Sequence, residues 1–267
     1  MRSARKRVVA VFDGVGTDGR VDGSVLAPCV DRLAAKIGAD TRWLPWGGSQ
    51  MLDMGGGGTW ADNSRQGVQA LVEWMDANPG QHIVLMSFSG GSKPAHDFLD
   101  QHPRFHDRVL GAGFLSDPWR PRDRWQTGLP YPGGWGICGE NYTPISDRAW
   151  WTAVPGDTIP NAQPDALLRY FADVSYGGPD QMITEAIRAF QQGRFQLAAH
   201  LGLPLHERIF GLGRRINDAS TAVHRYLNGW HTRHYLGPVD TDGGDHRSLS
   251  DRLADSVAWG VNRRYPR

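Results

Sequence analysis

The sequence predicts an α/β protein in which a mostly parallel sheet lies between two layers of helices. Short apolar runs, such as residues 8–12 (VVAVF) and 83–86 (IVLM), alternate along the chain with segments whose apolar residues repeat at helical spacing. Several of these runs are followed by glycine, serine or aspartate, which is typical of the strand ends where open sheets place their sites. A chain of 267 residues is long enough for a single domain, 1–267, with an insertion.

The first half of the chain supplies strands and helices in strict alternation. Residues 8–12 predict the first strand, which leads into the glycine-rich loop 13–17. A helix ending at Gly38 follows, and its apolar stripe is Val30, Leu33, Ala34 and Ile37. Residues 42–44 predict a short second strand. The next helix, with apolar Val68, Leu71, Val72 and Met75, is the crossover that a parallel strand at 82–88 requires.

The second half continues the alternation and adds a helical segment. The predicted elements are a helix near Pro94, a strand over 108–115, a loop over 119–146, a strand over 149–154, a helical cap or linker over 164–228, and a C-terminal helix through Leu249, Leu253 and Val257. Two stripes mark the cap, namely Met182, Ile183, Ala186, Ile187 and Phe190, and Ile216, Ala219, Val223 and Leu227. Loop tryptophans such as Trp46 and Trp119 are expected either to pack the core or to line a cleft.

Charge and apolar content exclude several function classes. Lys and Arg number 29 and Asp and Glu 28, so a net charge of +1 creates no field that attracts nucleic acid or anionic lipid. Basic residues at positions 2–7 precede only five apolar residues, too few for the core of a signal peptide, and no run is long enough to span a membrane. We therefore expect synthesis in the cytoplasm, no nucleic-acid partner and no transmembrane segment.

The strand over residues 82–88 ends in Ser89-Gly90-Gly91 and predicts a nucleophile elbow. In such an elbow a serine occupies a strained strand-to-helix turn, and small neighbours are required because strand and helix backbones pass in contact. Ser87 stands where the G-x-S-x-G pattern has its first glycine, which keeps the side chain small. We expect a surface-accessible Ser89 hydroxyl. The alternative interpretation is a plain strand followed by a Gly-Gly loop.

A serine hydroxyl needs a histidine to accept its proton and a carboxylate to orient that histidine. Ser89, then Asp157 after the 149–154 strand, then a histidine within 231–234 follow the Ser, Asp, His order of α/β-hydrolases. An oxyanion hole would use the backbone amide of Gly90 and one amide of the loop after the first strand, either Gly14 or Val15.

Other residues compete for these roles. Asp157 would also serve as a turn residue or helix cap, and Asp117 follows another strand and competes for the acid role. His246 is an alternative base, and Cys138 an alternative nucleophile. The remaining histidines, among them His96, are expected on the surface.

No cofactor or metal is expected. The sequence contains no G-x-G-x-x-G fingerprint, Walker motif or zinc-ligand spacing, and residues 240–245 lack the glycine and glutamate of a calcium loop. Whether Cys29 and Cys138 form a disulfide stays open.

With these residues in place, the chain resembles the mycobacteriophage lysin B endolysins, which are cutinase-like serine esterases that cleave mycolic acids from the arabinogalactan of the host wall. The resemblance runs nearly from end to end. It rests on residues 8–17, on RWLPWG at 42–47, on the serine elbow, on SDPWR at 116–120, on VPGD at 154–157 and on the histidine element that begins at His231.

The resemblance implies a role for each matching residue. Ser89 would be the nucleophile, Asp157 the acid and His231 the base, and the segment 164–228 would correspond to the family's linker. His234-Tyr235 stands where the family has Tyr then His, which makes His234 an alternative base. The implied substrate is mycolyl-arabinogalactan or another long-chain acyl ester, cleaved in the cell envelope after synthesis in the host cytoplasm and release. Two rival functions stay open, a general cutinase-type or lipase-type carboxylesterase and a non-catalytic wall-binding module.

Overall fold

A computed structural model of the protein describes residues 6–17, 19–47, 59–169, 212–240 and 243–266. Its strands are β1 (Lys6–Phe12), β2 (Asp40–Trp43), β3 (Gln81–Phe88), β4 (Val109–Leu115) and β5 (Ala149–Thr152). Its helices are α1 (Ala27–Ile37), α2 (Trp60–Ala77), α3 (Ser92–Gln101), α4 (Leu212–Leu227) and α5 (Leu249–Arg264). The apolar stripe from Met182 to Phe190, and with it most of the predicted cap, lies outside the described residues.

The five described strands form one sheet in the order β2-β1-β3-β4-β5, and every neighbouring pair is parallel. All seven residues of β4 and six of the seven in β1 are buried. Continuous burial follows from helices covering both faces of the sheet, and it explains why these strands read as unbroken apolar runs. The predicted parallel sheet is confirmed.

The helices form two layers around this sheet. On one face α1 and α5 pack against each other, α1 also against β1 and α5 against β4, around Leu33, Leu253 and Val257. On the other face α2 and α3 cover the sheet around Leu71 and Phe98. Helix α2 begins at a capping box in which Thr59 and Asp62 satisfy each other's backbone amides, and α1 ends at Gly38 in the left-handed conformation. None of the described helices is long and apolar enough to cross a membrane.

One of the loop tryptophans belongs to the core. Trp46 is fully buried beside Phe12 and Leu71, so it does not line a cleft.

The segment between β4 and β5 is a long loop, as predicted, and contains one short 3₁₀ turn. Part of this loop is buried. The guanidinium of Arg120 is fully buried in it and donates to the carbonyl oxygens of Pro160 and Gly134. The hydrogen bond to Pro160 ties the long loop to the chain after β5, and the one to Gly134 holds the loop together.

Candidate active site

The chain makes a tight strand–turn–helix elbow between β3 and α3. Ser89 has φ of 50°, a left-handed conformation that is rare for a residue with a side chain, and a 3₁₀ turn covers Ser89–Gly91. A Cβ on Gly91 would lie 2.2 Å from the carbonyl oxygen of Asp13 and 2.4 Å from that of Phe12. Only glycine fits there, because the turn packs directly against the end of β1. The geometry is that of the predicted elbow and not of a loose Gly-Gly loop.

Ser87 occupies the position where the elbow pattern has its first glycine. It is fully buried, and its hydroxyl lies 3.1 Å from that of Ser92 at the start of α3. A buried hydroxyl needs a partner, and here each serine supplies one to the other. The departure from glycine is therefore accommodated by a second small residue across the elbow.

Ser89, His231 and Asp157 form a continuous hydrogen-bonded chain. The Nε2 atom of His231 lies 2.7 Å from Ser89 Oγ, and its Nδ1 atom lies 2.9 Å from Asp157 Oδ2. Because a carboxylate only accepts hydrogen bonds, Nδ1 carries the proton and Nε2 presents its lone pair to the serine hydroxyl. This is the arrangement of a nucleophile, a base and an orienting acid.

Aromatic neighbours hold the His231 ring. It stacks on Phe88 at the end of β3, with ring centroids 5.1 Å apart, and on Tyr226 of α4, also at 5.1 Å. Gly229, with φ of 80°, turns the chain after α4 so that it can re-enter the site. A ring held between two aromatic rings has few alternative orientations.

Asp157 Oδ2 accepts two further hydrogen bonds besides the one from His231. Ser116 Oγ lies 2.6 Å from it and the hydroxyl of Tyr235 lies 2.7 Å from it, while Oδ1 accepts the amide of Ile159 at 3.0 Å. Burial and the charge of Asp157 raise the pKa of Tyr235 well above its usual value, so this phenol stays protonated and donates. Sequence reasoning missed Ser116 and Tyr235. The sequence signals were the position of Ser116 directly after a buried strand, within the SDPWR motif, and that of Tyr235 beside the alternative base His234.

The structure keeps the competing acid away from His231. Asp117 Oδ2 lies 2.9 Å from His96 Nε2 and accepts the indole N–H of Trp151 at 2.9 Å. His96 is only 3 % exposed and stacks on Phe114 with ring centroids 4.6 Å apart. The expectation of a surface His96 is therefore wrong, because α3 presents this residue to the sheet, where Asp117 provides a hydrogen-bond partner.

The alternative bases and nucleophile also lie outside the chain of hydrogen bonds. His234 stacks on Trp230 at 4.7 Å, and His246 forms an exposed pair with Asp240. Cys138 packs at the edge of a separate apolar cluster around Ile137. Within the described part of the chain, His231 is the histidine that reaches Ser89.

The loop after β1 supplies the candidate oxyanion donor. The amide of Gly14 donates to Asp13 Oδ1 at 2.8 Å and is therefore engaged, whereas the amide of Val15 donates to no acceptor among the described residues. A Cβ on Gly90 would meet a methyl carbon of Val15 at 2.5 Å, so the two candidate residues adjoin. Of the two loop amides predicted, Val15 is the one that remains able to bind an oxyanion.

The Ser89 side chain is less accessible than predicted. Its exposure is 1 %, and those of Asp157 and His231 are 2 % and 3 %. The imidazole ring lies on the hydroxyl, and the loop after β1 packs against the next two residues. Such a water-excluded site strengthens the hydrogen bonds within it.

Solved structures with a similar fold include a phage lysin and two proteins described as a cutinase-like protein and an esterase. Lysin B from Mycobacteriophage D29 superposes with a TM-score of 0.52 and 14% identity, over 94% of this chain and 98% of that one. A cutinase-like protein from Cryptococcus sp. superposes with a TM-score of 0.47 and 12% identity, over 73% of this chain and 94% of that one. An acetyl xylan esterase superposes with a TM-score of 0.44 and 16% identity, over 72% of this chain and 98% of that one. The parallel sheet between two helical layers confirms the predicted three-layer α/β fold class, and the first similarity shows that lysin B from Mycobacteriophage D29 shares this fold.

Other comparisons found no relatives. No protein-family model matches the chain, and no curated protein matches it.

Proposed function

We propose that the protein is a serine carboxylic-ester hydrolase that acts through an acyl-enzyme intermediate. The observation that carries the proposal is the unbroken hydrogen-bond chain from Ser89 through His231 to Asp157, on an elbow where only glycine fits after the serine. A buried serine with no catalytic task needs neither a histidine acceptor nor a strained backbone.

The residues divide the reaction into two steps. Ser89 Oγ attacks the ester carbonyl while His231 Nε2 takes its proton, and the amides of Gly90 and Val15 stabilise the oxyanion that forms. His231 then gives the proton to the departing alcohol, which leaves the acyl group on Ser89. A water molecule that gives its proton to His231 then attacks this ester, and the carboxylic acid leaves Ser89. Asp157 stabilises the imidazolium in both steps.

We propose further that the natural substrate is an ester between a mycolic acid and arabinogalactan. The support is the ordered set of lysin-B-like motifs along the whole chain, since a fold shared at 14% identity carries no substrate. Synthesis in the host cytoplasm followed by action on the envelope after release belongs to the same proposal.

A long branched acyl chain requires an apolar cleft. In the described residues Ala219 and Val223 of α4 pack against Ile159 and Leu168. Ala219 and Ala222 also line a cavity of about 300 Å³, together with Gly156 and Thr158 on either side of Asp157.

The test of the activity is a serine exchange with a matched control. Ser89→Ala should lose labelling by a fluorophosphonate and at least about 99 % of p-nitrophenyl butyrate hydrolysis, since loss of a triad nucleophile costs far more than a hundredfold. Ser64→Ala removes another fully buried serine hydroxyl, on α2, and should leave both unchanged. A wild-type protein that is not labelled would instead support a non-catalytic binding module.

The test of the substrate uses isolated mycolyl-arabinogalactan-peptidoglycan. Wild type should release mycolic acids, seen by thin-layer chromatography, and kcat/KM on synthetic esters should rise with acyl length because a gripped chain stabilises the transition state. If butyrate esters are cleaved rapidly and no mycolate is released, the general carboxylesterase takes the place of this proposal.

A further inference from the structure

We propose that Ser116 and Tyr235 are positioning residues of the site, which share Asp157 Oδ2 with His231 and set how much of its negative charge reaches the imidazole. This inference rests on the proposed function. It assigns a role to two residues that lie outside the Ser, His and Asp of the hydrolytic mechanism.

The backbone of Ser116 indicates that its side chain has a task. Its φ of 53° is left-handed, a conformation that glycine adopts without strain and that serine rarely adopts. Two other described non-glycine residues share this feature, the elbow residue Ser89 and Thr143. Thr143 is explained by its own turn, in which its hydroxyl accepts the amide of Ile145. No such local bond explains Ser116.

Neighbours on both sides hold Ser116 in this conformation. Its amide donates to the carbonyl oxygen of Thr152 at 3.0 Å, which ties the end of β4 to the end of β5. The next residue, Asp117, accepts the amide of Trp119 at 2.9 Å and lies 2.9 Å from His96 Nε2. Strain persists where the surroundings over-determine a residue, and such sites cluster where side chains must be aimed.

The Ser116 hydroxyl bridges the acid and the base. It lies 2.6 Å from Asp157 Oδ2, to which it donates, and 3.0 Å from His231 Nδ1. Its lone pair therefore faces the Nδ1 proton, which is shared between the carboxylate and the hydroxyl. This second acceptor favours the tautomer that leaves Nε2 free to take the proton of Ser89.

Tyr235 holds Asp157 from the opposite side. Its side chain is fully buried, accepts the amide of Val154 at 3.2 Å and donates to Asp157 Oδ2 at 2.7 Å. It thus joins the loop after β5, which carries the acid, to the turn that carries His231. Because its pKa is raised, the donor persists at every pH at which the site would work.

The pKa of His231 depends on how Asp157 Oδ2 is shared among its three hydrogen-bond donors, His231, Ser116 and Tyr235. The titratable groups that face His231 include Asp157 from the β5 loop, Tyr235 from its own turn and Tyr226 from α4, and the rest of its surroundings include Phe88 and Ser116. Tyr235 only donates to Asp157, so its removal concentrates the charge of Asp157 on His231, stabilises the imidazolium and raises the pKa of the base. Ser116 also accepts the Nδ1 proton, so its removal takes away a group that stabilises the imidazolium and offsets this rise.

The experiment compares Tyr235→Phe, Ser116→Gly and Ser116→Ala with wild type, and uses Ser64→Ala as the control. Each of the three site variants should lower kcat on p-nitrophenyl butyrate roughly tenfold, and Tyr235→Phe should also move the acid limb of kcat/KM up by about half a pH unit or more. Ser64 is equally buried and also donates to a carboxylate, that of Asp97, so its variant should do neither.

Ser116→Gly separates positioning from packing. It removes the backbone strain together with the hydroxyl, so its thermal midpoint should stay within a few degrees of wild type while its activity falls. Ser116→Ala loses the hydroxyl but keeps the backbone strain, so both its thermal midpoint and its activity should fall. A glycine variant with wild-type kcat would overturn the role of Ser116, and a Tyr235→Phe variant with wild-type kcat and an unshifted pH profile would overturn that of Tyr235.

A substrate-free measurement keeps this inference distinct from the proposed function. The titration midpoint of His231 is followed by NMR with histidine-selective labelling, and its signal is identified by its loss in His231→Gln. The midpoint should rise in Tyr235→Phe. In Ser116→Gly the signal of the Nδ1 proton should shift, because this proton is then bound by Asp157 alone. If both changes occur in a protein that hydrolyses no ester, the proposed function fails alone. If esters are hydrolysed and neither change occurs, the positioning role fails alone.

Discussion

Replacing Asp157 by asparagine should remove almost all ester hydrolysis, whereas the same replacement at Asp117 should cost stability. The two residues make a matched pair, since both follow a strand of the sheet, both are at most 2 % exposed and both hydrogen-bond a histidine. They differ in which histidine they contact. Asp157 contacts His231, which reaches Ser89, and Asp117 contacts His96, which does not.

The size of the effect at Asp157 follows from its hydrogen bonds. Its Oδ2 atom accepts from His231, Ser116 and Tyr235, and its Oδ1 atom accepts the amide of Ile159. Asparagine offers only one acceptor oxygen, so the imidazole is no longer held with its proton on Nδ1. The same exchange in a serine protease lowers kcat about 10⁴-fold, equivalent to roughly 5 kcal/mol of transition-state stabilisation.

The size of the effect at Asp117 follows from lost buried hydrogen bonds. Asparagine can accept either the amide of Trp119 or the donors of His96 and Trp151, but not all of them with charged strength. Losing one hydrogen bond to a buried charged group costs about 1–3 kcal/mol. For a chain of this size that lowers Tm by roughly 2–10 °C, and kcat of the folded protein should change only a few-fold.

The assay measures kcat on p-nitrophenyl butyrate and Tm by circular dichroism for both variants. The reasoning is refuted if Asp117→Asn loses more kcat than Asp157→Asn. It is also refuted if Asp157→Asn retains more than about a hundredth of wild-type kcat, because an orienting acid is worth much more than that.

Three further predictions concern the base, the elbow and the loop after β1. His231→Ala should lower kcat at least about 10³-fold while His234→Ala stays near wild type, and a reversed ranking in the p-nitrophenyl butyrate assay would move the base. Gly91→Ala should cost several degrees of Tm or prevent folding, because its Cβ would meet two carbonyl oxygens; Gly80→Ala, where no atom lies within 4 Å, should not. Burial raises the pKa of Asp13, so folding favours its protonated form and this stability is lost as pH rises from about 4 through the raised value. The free energy of unfolding of Asp13→Asn, measured by urea denaturation, should therefore rise relative to that of wild type as pH increases. A difference between the two proteins that is constant with pH would contradict this.

The sequence by itself determined the fold class and the elbow. Strands buried on both faces must be continuously apolar, and crossover helices must carry an apolar stripe, so both appear in the local pattern. The tight turn after β3 requires small residues at fixed positions, so Ser89 and Gly91 are visible without knowledge of the rest of the chain.

The tertiary structure alone decided which side chains meet. His231 and Ser89 are 142 residues apart, and no local pattern distinguishes His231 from His234 three positions later. Asp117 and Asp157 carry the same sequence signal, an aspartate after a strand, and only the packing of α3 and of the turn after α4 gives each its histidine. The burial of His96 and Trp46 and the bonds of Ser116 and Tyr235 to Asp157 were hidden for the same reason. A polar or aromatic side chain acquires its partner from elements distant in the chain, whereas an apolar stripe needs only its own helix or strand to be recognised.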